Sequence, residues 1–378
     1  MNILQVCSAA SLGGGERHVI DLTRALIERG HQLHLAIRPA SPLLGALAGW
    51  PVRFHELPLR NSIDLPSALR LARLISREKI DVLHAHVGRD YIVSGLAAHL
   101  NPRVRYLITR HHFNSFRANP LLRWALARAD HLIAVSTTVY QRFEAVVPEL
   151  TASVKIIPNW VDPQLYLSPN RSESRRNLGI TRPLAVGIIG QISPLKGQDI
   201  FVEAAQRLLA GTASAGKTDE LAPEEIEFLV IGSPDPADRP FADALLERVR
   251  TAGLSASIRF PGFIDNLQGQ LAGLDLVVIL SENEAFSLVL VEAMAAGLPV
   301  IATRVGGMAE ILLDQQTGVF IERSPTALTA AIGKLARDPN LRRQLAVRAR
   351  EEVQRRFSRK NVIDQIEQLL ICSPTPGS

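Results

Sequence analysis

Short apolar runs alternate with helical patterns along almost the whole chain, and this alternation constrains the fold more than any other feature. The runs have the length and residue types of buried strands. We predict strands near 2–7, 32–37, 52–56, 80–84, 104–109, 131–135, 154–157, 185–190, 226–231, 257–260, 275–280, 299–303 and 318–321. The helical patterns between them are typical of parallel sheets covered by helices on both faces. The predicted fold class is therefore α/β, with doubly wound parallel sheets.

A turn-rich, polar stretch at 162–172 interrupts the alternation and is typical of a linker. We predict one doubly wound domain over 1–165 and a second over 166–356. A C-terminal helix at about 357–372 is expected to pack back on the first domain. The carboxyl edges of two such sheets would face a cleft, which is a natural place to join two substrates.

The composition excludes several classes of protein. Hydrophobic residues make up 47% and charged residues 21% of the 378 residues, so a large core is expected and global disorder is not. The only cysteines, Cys7 and Cys372, cannot build a disulfide framework and lack the spacing of a zinc site. No apolar run reaches the length of a membrane span, and the first residues lack a signal-peptide pattern. We expect a cytoplasmic protein.

Positive charge is concentrated in the first part of the chain. Residues 1–170 contain 19 Lys and Arg against 12 Asp and Glu, and they hold all 10 histidines. The excess is either scattered surface charge or an attraction for an anionic acceptor or an anionic membrane surface. The apolar and basic segment at 120–128 is expected to pack in the core, with peripheral membrane contact as its alternative. No nucleic-acid-binding module is recognisable, so no nucleic-acid partner is expected.

Two glutamates, Glu284 and Glu292, lie in the loop and helix that follow the strand predicted at 275–280. Open α/β sheets bind ligands at the carboxyl ends of their strands. A glutamate there can accept two hydrogen bonds from a vicinal diol such as a ribose, and the helix N-terminus suits a phosphate. An ordinary strand–loop–helix unit with exposed acids is the alternative. The small-residue helix and the Gly-Gly-x-x-Glu segment at 306–310 favour the ligand site.

Three further loops follow predicted strands and carry residues suited to a ligand. The glycines at 13–15 open a helix and let the backbone approach a phosphate closely. Lys196 can neutralise a departing diphosphate. His111, with His112 as the alternative, can hydrogen-bond a sugar hydroxyl.

Two more histidines, His84 and His86, end the strand predicted at 80–84. We expect them to satisfy hydrogen bonds in the core. The adjacent His111 and His112 are not expected to bind a metal, because no carboxylate or cysteine stands near them in the sequence.

Together these segments resemble family 4 of the retaining glycosyltransferases with the GT-B fold. The resemblance runs from Gly13 to about Gly318 and is most specific over 281–310. It rests on Gly-Gly-x-Glu-Arg-His-Val at 13–19, Asp-x-x-His-x-His at 81–86, Thr-x-His at 109–111, Ile-Pro-Asn-x-Val-Asp at 157–162, Lys-Gly-x-Asp at 196–199 and Glu-x7-Glu at 284–292.

The resemblance implies two Rossmann-like domains, the first for the acceptor and the second for a nucleotide diphosphate sugar. It implies transfer of a hexose, with retention at the anomeric carbon, to a hydroxyl of a glycan or lipid-linked acceptor. The implied setting is bacterial cell-surface polysaccharide, lipopolysaccharide or glycolipid synthesis. No cofactor and no essential metal are implied, and the lack of an Asp-x-Asp pair agrees with this.

The resemblance also implies the site residues. The implied catalytic residues are Glu284, Lys196 and His111. The implied donor-binding residues are Gly14, Gln191, Lys196, Glu284, Phe286, Ser287, Leu288 and Glu292. Glu292 would bind the ribose and Glu284 the donor sugar. Lys196 and Gln191 would stabilise the departing diphosphate.

Two positions depart from the family pattern. Gln191 stands where the family usually has arginine, which removes a fixed positive charge, and Trp160 replaces the usual glycine. A nucleotide-sugar epimerase or hydrolase on the same fold is one alternative, and a non-catalytic nucleotide-sugar sensor is another. A nicotinamide oxidoreductase is disfavoured because the G-x-G-x-x-G fingerprint is missing.

Overall fold

The computed structural model describes residues 1–112, 119–167, 170–211 and 223–371. Cys372 and residues 168–169 of the predicted linker lie outside these ranges. The chain divides into two compact units. Unit 1 consists of Met1–Asn159 and the chain from Lys360 onward, and unit 2 consists of Trp160–Arg359. The division lies a few residues before the boundary predicted at 165.

Unit 1 is built on a seven-stranded sheet. Its strands are β1 (Asn2–Cys7), β2 (Gln32–Ile37), β3 (Val52–Glu56), β4 (Val82–Ala85), β5 (Arg105–Arg110), β6 (His131–Ala134) and β7 (Val154–Ile156). The helices between them are α1 (Gly14–Glu28), α2 (Leu43–Ala46), α3 (Leu65–Arg77), α4 (Asp90–His99), α5 (Pro120–Ala127) and α6 (Thr137–Val146). The order β3-β2-β1-β4-β5-β6-β7 is parallel throughout.

Unit 2 is built on a six-stranded sheet. Its helices are α7 (Arg171–Asn177), α8 (Gln198–Gly211), α9 (Arg239–Thr251), α10 (Leu267–Gln270), α11 (Leu288–Ala295), α12 (Met308–Ile311), α13 (Pro325–Arg337) and α14 (Pro339–Arg356). Its strands are β8 (Leu184–Ile189), β9 (Ile226–Ile231), β10 (Ile258–Gly262), β11 (Leu276–Ile279), β12 (Val300–Thr303) and β13 (Val319–Ile321). The order β10-β9-β8-β11-β12-β13 is again parallel.

The predicted α/β class with two doubly wound sheets is confirmed, and every strand lies within two residues of its predicted ends. The agreement follows from burial. Strands covered on both faces must be apolar nearly throughout, as in β9, where all six residues are buried. The helices bury one face each, and Phe201 of α8 packs edge-to-face on Phe228 of β9 with the ring centroids 5.8 Å apart.

The strand orders locate the places where ligands bind in such sheets. In unit 1 the chain changes direction across the sheet between β1 and β4, and in unit 2 it does so between β8 and β11. The loops after these strands diverge to opposite faces and leave a crevice at the carboxyl edge. The loops after β1, β4, β8 and β11 are therefore the first places to look for a site.

A fifteenth helix, α15 (Arg359–Ile371), contacts unit 1 although it follows unit 2 in the chain. The Arg29 guanidinium, just after α1, binds the carboxylates of Asp364 and Glu367. His31 Nε2 lies 2.8 Å from a Glu367 oxygen. The apolar face of α15 is fully buried, so the helix is an integral part of unit 1.

One buried ion pair ties the edge of the unit 2 sheet to the loop that precedes β8. Glu227 of β9 is 1% exposed. Its carboxylate accepts hydrogen bonds from the backbone N–H groups of Thr181 and Arg182, at 2.7 and 2.8 Å, and from Arg259 at 2.7 Å. These hydrogen bonds compensate for the loss of hydration when the carboxylate is buried.

The segment at 120–128 forms α5 and packs against the core of unit 1, which is the expected placement and not the membrane alternative. Ala125 and Leu126 are buried, and the Trp124 ring contacts His99 edge-on at 5.5 Å. Arg123 is held by Glu149 and by the Val146 carbonyl. Within the described ranges, no helix combines the length and the apolar character that crossing a bilayer requires.

Candidate active site

Two loops at the carboxyl edge of the unit 2 sheet meet at the point where the strand order reverses. The loop after β8 carries Lys196, and the loop after β11 carries Ser281 and Glu284. Lys196 Nζ lies 2.7 Å from Glu284 Oε2 and 3.3 Å from Ser281 Oγ. The Ser281 hydroxyl also donates to Glu284 Oε2 at 3.1 Å. The structure thus brings together two predicted catalytic residues that are 88 positions apart in the chain.

Both members of this ion pair remain accessible to a ligand. The Lys196 side chain is 32% exposed and the Glu284 side chain 19%. A partly exposed pair of this kind contributes little to stability, about 1 kcal/mol or less. Its charges are therefore available to exchange partners when a ligand with phosphate and hydroxyl groups arrives.

The helix that follows Glu284 begins where the sequence predicts a phosphate-binding N-terminus. Ser287 caps α11, and its hydroxyl accepts a hydrogen bond from the Leu290 N–H. The Phe286 ring packs edge-on against Phe357 with centroids 5.9 Å apart. Because its side chain is anchored in this way, the part of Phe286 left to face a ligand is its backbone. The first-turn N–H groups at Leu288 and Val289 have no intrahelical acceptor.

A glycine fixes the backbone of the Glu284 loop. Gly306 has φ +49°, and a Cβ added to it would lie 1.9 Å from the Glu284 carbonyl oxygen. The same carbonyl accepts the Gly307 N–H at 2.9 Å. Only a residue without a side chain permits this approach. The Gly-Gly segment that follows β12 therefore acts as a support for Glu284.

Glu292 lies in the second turn of α11 and is 3% exposed. It does not share the exposure of Glu284, although both belong to the same sequence motif. A buried carboxylate requires hydrogen-bond donors around it. Its assignment to the ribose of a donor stays a prediction.

The side chain of Gln191, which is predicted to stabilise the departing diphosphate, is hydrogen-bonded to two aspartates. Its side-chain nitrogen donates to Asp235 at 2.9 Å and to Asp238 at 3.2 Å, and its backbone carbonyl accepts from the Gln198 side-chain nitrogen at 2.9 Å. These bonds hold the loop after β8 against the loop after β9. The predicted contact with a diphosphate is untested by these bonds and remains an expectation.

In unit 1, the predicted glycine loop and the predicted histidine come together at the carboxyl edge of the sheet. Gly14 is the first residue of α1 and is exposed. A Cβ on its neighbour Gly15 would lie 3.3 Å from His111 Cβ, so the helix start packs directly on that residue. His111 is 8% exposed, whereas the alternative His112 is exposed.

His111 belongs to a cluster of buried histidines. His86 Nδ1 lies 3.3 Å from His111 Nε2, and His84 Nε2 lies 2.7 Å from the Thr109 hydroxyl. The second contact is the core hydrogen bond expected of His84. His18 of α1 completes the cluster, with its ring centroid 4.5 Å from that of His111.

Burial keeps these imidazoles neutral. It lowers the pKa of His18 from 6.5 to about 4 and that of His84 to about 3. Burial, followed by repulsion from the neighbouring histidines, holds the pKa values of His86 and His111 well below 6.5. A neutral imidazole can donate one hydrogen bond and accept another, which suits a sugar hydroxyl.

Comparison with known proteins identifies the family. Residues 12–165 match the family model described as Glycosyltransferase Family 4, and residues 170–352 match the model described as Glycosyl transferases group 1. A D-inositol 3-phosphate glycosyltransferase of Salinispora arenicola is 32% identical over 386 residues, covering 89% of this chain and 82% of that protein. The chain belongs to glycosyltransferase family 4. It is an enzyme of the glycosyltransferase class.

Other relatives of this family 4 glycosyltransferase agree with that assignment. An N-acetyl-alpha-D-glucosaminyl L-malate synthase of Bacillus anthracis is 27% identical over 376 residues, covering 94% of this chain and 93% of that protein. HepE of Anabaena, solved in complex with UDP-glucose, superposes with a TM-score of 0.80 and 22% identity over 98% of this chain and 99% of its own. A glycosyltransferase from Rickettsia africae superposes with a TM-score of 0.85 and 20% identity over 98% and 97%. These structures confirm the GT-B type of fold.

Two residues of the candidate site were not predicted. Ser281 bonds both Lys196 and Glu284, and its place directly after a predicted strand was a signal that could have found it. Arg323 donates from Nε to the Leu280 carbonyl at 2.9 Å and from Nη2 to the Pro194 carbonyl at 2.7 Å. It thereby joins the two loops that carry the ion pair. Nothing in its local sequence indicates this role.

Proposed function

We propose that this glycosyltransferase moves a hexose from a nucleoside diphosphate sugar to an acceptor hydroxyl, with retention at the anomeric carbon. The observation that carries the proposal is the Lys196–Glu284–Ser281 cluster beside the capped N-terminus of α11. A cation and free N–H groups suit a diphosphate, and a carboxylate suits sugar hydroxyls. The donor seen in the HepE complex is of this chemical class.

Each residue would act where charge develops. The bond from the anomeric carbon to the phosphate oxygen breaks, and the negative charge that grows on the diphosphate is stabilised by Lys196 and the N–H groups of α11. Glu284 would hold hydroxyls of the donor sugar, and Glu292 those of the ribose. Phe263, which is 72% exposed in the loop after β10, offers a flat surface for the nucleotide base.

The acceptor oxygen would attack the same face that the diphosphate leaves. Its proton would pass to an oxygen of the departing phosphate, so the reaction needs neither a side-chain base nor a metal. His111, neutral and hydrogen-bonding, would bind a sugar hydroxyl and would not carry the transferred proton. We propose no cofactor for this step.

The acceptor is proposed to be anionic. Residues 1–170 carry an excess of positive charge, and L-malate and inositol 3-phosphate, named for two relatives, both bear negative groups. A small acid and an acidic glycan or lipid-linked saccharide share this chemistry. The latter would place the enzyme in cell-surface glycan or glycolipid synthesis, with the protein in the cytoplasm.

We also propose that a lipid-linked acceptor would be met at an anionic membrane, through the surface of α3 and α4 and not through α5. Leu69 and Leu100 are 39% and 56% exposed and line a groove between α3 and α4. Arg73 and Arg77 line this groove, and Arg77 is paired with Glu78. Arg70 on α3 and Arg103 after α4 are exposed, and within the described ranges neither they nor Arg73 form an ion pair. Exposed leucines flanked by uncompensated arginines fit an anionic bilayer surface.

Vesicle flotation tests the membrane contact. Replacing Arg70 and Arg73 together with glutamate should lower binding to phosphatidylglycerol vesicles about 30-fold or more, because each arginine contributes about 1 kcal/mol. The matched control replaces Arg343 and Arg348, which are exposed on α14. Equal loss in both double variants, or no salt-sensitive binding of the parent protein, would exclude this surface.

Thermal unfolding with a panel of uridine, guanosine and adenosine diphosphate sugars tests the donor site. A ligand at 100 times its dissociation constant stabilises the folded state by about 2.7 kcal/mol. We expect one donor to raise the unfolding midpoint of the parent protein and of Glu351→Ala, which changes an exposed residue on α14. Glu292→Ala and the less disruptive Glu292→Gln should lose that shift.

The same donor then separates transfer from its rivals. Release of the nucleoside diphosphate that increases when an acidic acceptor is added supports transfer. Release at the same rate without acceptor indicates a hydrolase, and conversion of the sugar without transfer indicates an epimerase. Tight binding with no turnover under any condition would indicate a sensor.

A further inference from the structure

Three histidines from distant parts of the sequence converge beneath the carboxyl edge of the unit 1 sheet. His18 lies on α1, His86 follows β4, and His111 follows β5. All three are buried, with exposures of 5%, 1% and 8%. One imidazole nitrogen from each lies within 4.8 Å of the other two. We call these residues the histidine triad.

The spacing within the triad matches that of ligands around one metal ion. Zn²⁺ binds imidazole nitrogens at about 2.0–2.1 Å in a tetrahedron, which places two ligand nitrogens about 3.3–3.4 Å apart. His86 Nδ1 and His111 Nε2 are 3.3 Å apart. A modest rotation of His18 would bring its nitrogen from within 4.8 Å to the same distance. Three neutral imidazoles in a trigonal arrangement suit zinc, cobalt and copper.

We propose that the histidine triad binds one Zn²⁺ ion, with a fourth position left for water or another small ligand. The hydrogen bond between His86 and His111 would be replaced by two bonds to the metal. Both imidazoles stay neutral in this exchange, since the proton between the two nitrogens moves to the outer nitrogen of its ring. Gly15, which packs on His111, holds that ring in place before the metal arrives.

The expected affinity for the metal depends on the second ring nitrogen of each histidine, the one that does not bind the ion. Metal-ligating histidines usually donate their second N–H to a carbonyl or carboxylate, and losing such a partner costs about 10–100-fold in affinity. Within the described part of the chain, His86 Nε2 and His111 Nδ1 are buried without a hydrogen-bond partner. We therefore expect binding about 10–100-fold weaker than that of a site whose histidines have such partners.

A metal in the triad would inhibit transfer. This consequence, unlike the binding itself, rests on the proposed function. An ion bound to His111 Nε2 would fix the orientation of the imidazole that is proposed to bind a sugar hydroxyl and would place a positive charge beside that hydroxyl. Zinc would then act as an inhibitor that competes for His111 and would not serve as a cofactor.

Cobalt titration of the chelator-treated full chain tests the binding. Tetrahedral Co²⁺ shows intense visible absorption, and we expect one equivalent to bind and to be displaced by Zn²⁺. His86→Gln and His18→Gln should each lower Co²⁺ affinity about 10-fold or more. His55→Gln is the matched control, because His55 pairs with His34 at 3.0 Å in the same unit and, among the residues that the structure describes, belongs to no group of three possible metal ligands.

No tetrahedral absorption from the folded parent protein would overturn the proposal, and so would equal affinities in His86→Gln, His18→Gln and His55→Gln. Thermal unfolding without metal shows whether each variant is folded. Cobalt binding with no stabilisation by any nucleoside diphosphate sugar would support the metal site and count against the proposed donor site. Donor binding without cobalt binding would do the reverse.

Discussion

Replacing Gly306 with alanine should disable the donor site through the backbone of Glu284. The added Cβ would lie 1.9 Å from the Glu284 carbonyl oxygen, a distance that must grow by roughly 1 Å before it reaches even 3.0 Å. The obstacle is backbone, so rotation of a side chain cannot relieve it. The loop after β11 must therefore move, and Glu284 moves with it.

The size of the effect follows from what the displacement breaks. A hydrogen bond to a charged group contributes about 1.5–3 kcal/mol, so losing the contact of Glu284 with the donor sugar should weaken donor binding about 10–150-fold. The φ of +49° at Gly306 adds a separate cost of about 1–2 kcal/mol to folding, because alanine avoids that region. Donor affinity and folding stability should therefore both fall.

Gly253→Ala separates these two effects. Gly253 also has a positive φ, +70°, but a Cβ added there meets nothing within 4 Å. This variant should lose about 1–2 kcal/mol of unfolding free energy and keep full donor affinity. Affinity would be measured by titration calorimetry with the donor found in the thermal panel, and stability by urea unfolding.

Either of two results would contradict a role of Gly306 in positioning Glu284. If Gly306→Ala bound the donor within twofold of Gly253→Ala, the contact between Gly306 and Glu284 would have no part in positioning the site. A loss of donor affinity in Gly253→Ala equal to that in Gly306→Ala would show that general destabilisation, and not displacement of Glu284, is the cause.

Three further predictions concern single residues. Lys196→Ala should slow nucleoside diphosphate release about 100-fold or more yet change the unfolding free energy by about 1 kcal/mol or less; a near-normal rate in a stopped assay would contradict its role at the diphosphate. Burial lowers the pKa of His84 to about 3. Below pH 6.5 the unfolded chain therefore binds a proton at this residue that the folded chain does not, and the free energy of unfolding decreases as the pH decreases. His84→Gln should remove up to about 1.4 kcal/mol per pH unit of that fall between about pH 6.5 and 3, as measured by urea unfolding across this pH range. Glu227→Ala leaves buried donors without an acceptor and should cost about 3–5 kcal/mol in thermal unfolding, whereas exposed Glu247→Ala should leave the unfolding midpoint nearly unchanged.

The sheets could be predicted from the sequence because their information is local. A strand covered on both faces has to be a short apolar run, and each run is bounded by turn residues within a few positions. The start of α11 is local too, since Ser287 is a capping residue that directly precedes an apolar helix. The family motif added at which of these loops a ligand is expected.

The contacts within the cluster of buried histidines could not be predicted in the same way. His18 and His111 are brought together by the order of β1, β4 and β5 in the sheet, which periodicity does not encode. The adjacent His111 and His112 are not expected to bind a metal, because the sequence around them offers no further ligand. The proposed metal site draws its other two histidines from an earlier helix and from the end of the neighbouring strand.

Gln191 illustrates a different limit. The sequence shows the loss of an arginine but not what the replacement touches. In the structure it bonds Asp235 and Asp238, acids that lie in the following crossover. Residues separated by 44 and 47 positions share no local pattern, so their pairing is visible only after the chain has folded.

The position of α15 bears on how the protein is made. Unit 1 needs this helix, yet the ribosome must first synthesise all of unit 2, residues 160–359. At about 5–20 residues per second this takes roughly 10–40 s. During that interval the apolar surface that α15 later covers is open to chaperones and to neighbouring chains, whereas unit 2 can close as soon as it emerges. Unit 1, most of which is synthesised first, is therefore the second unit to complete its fold.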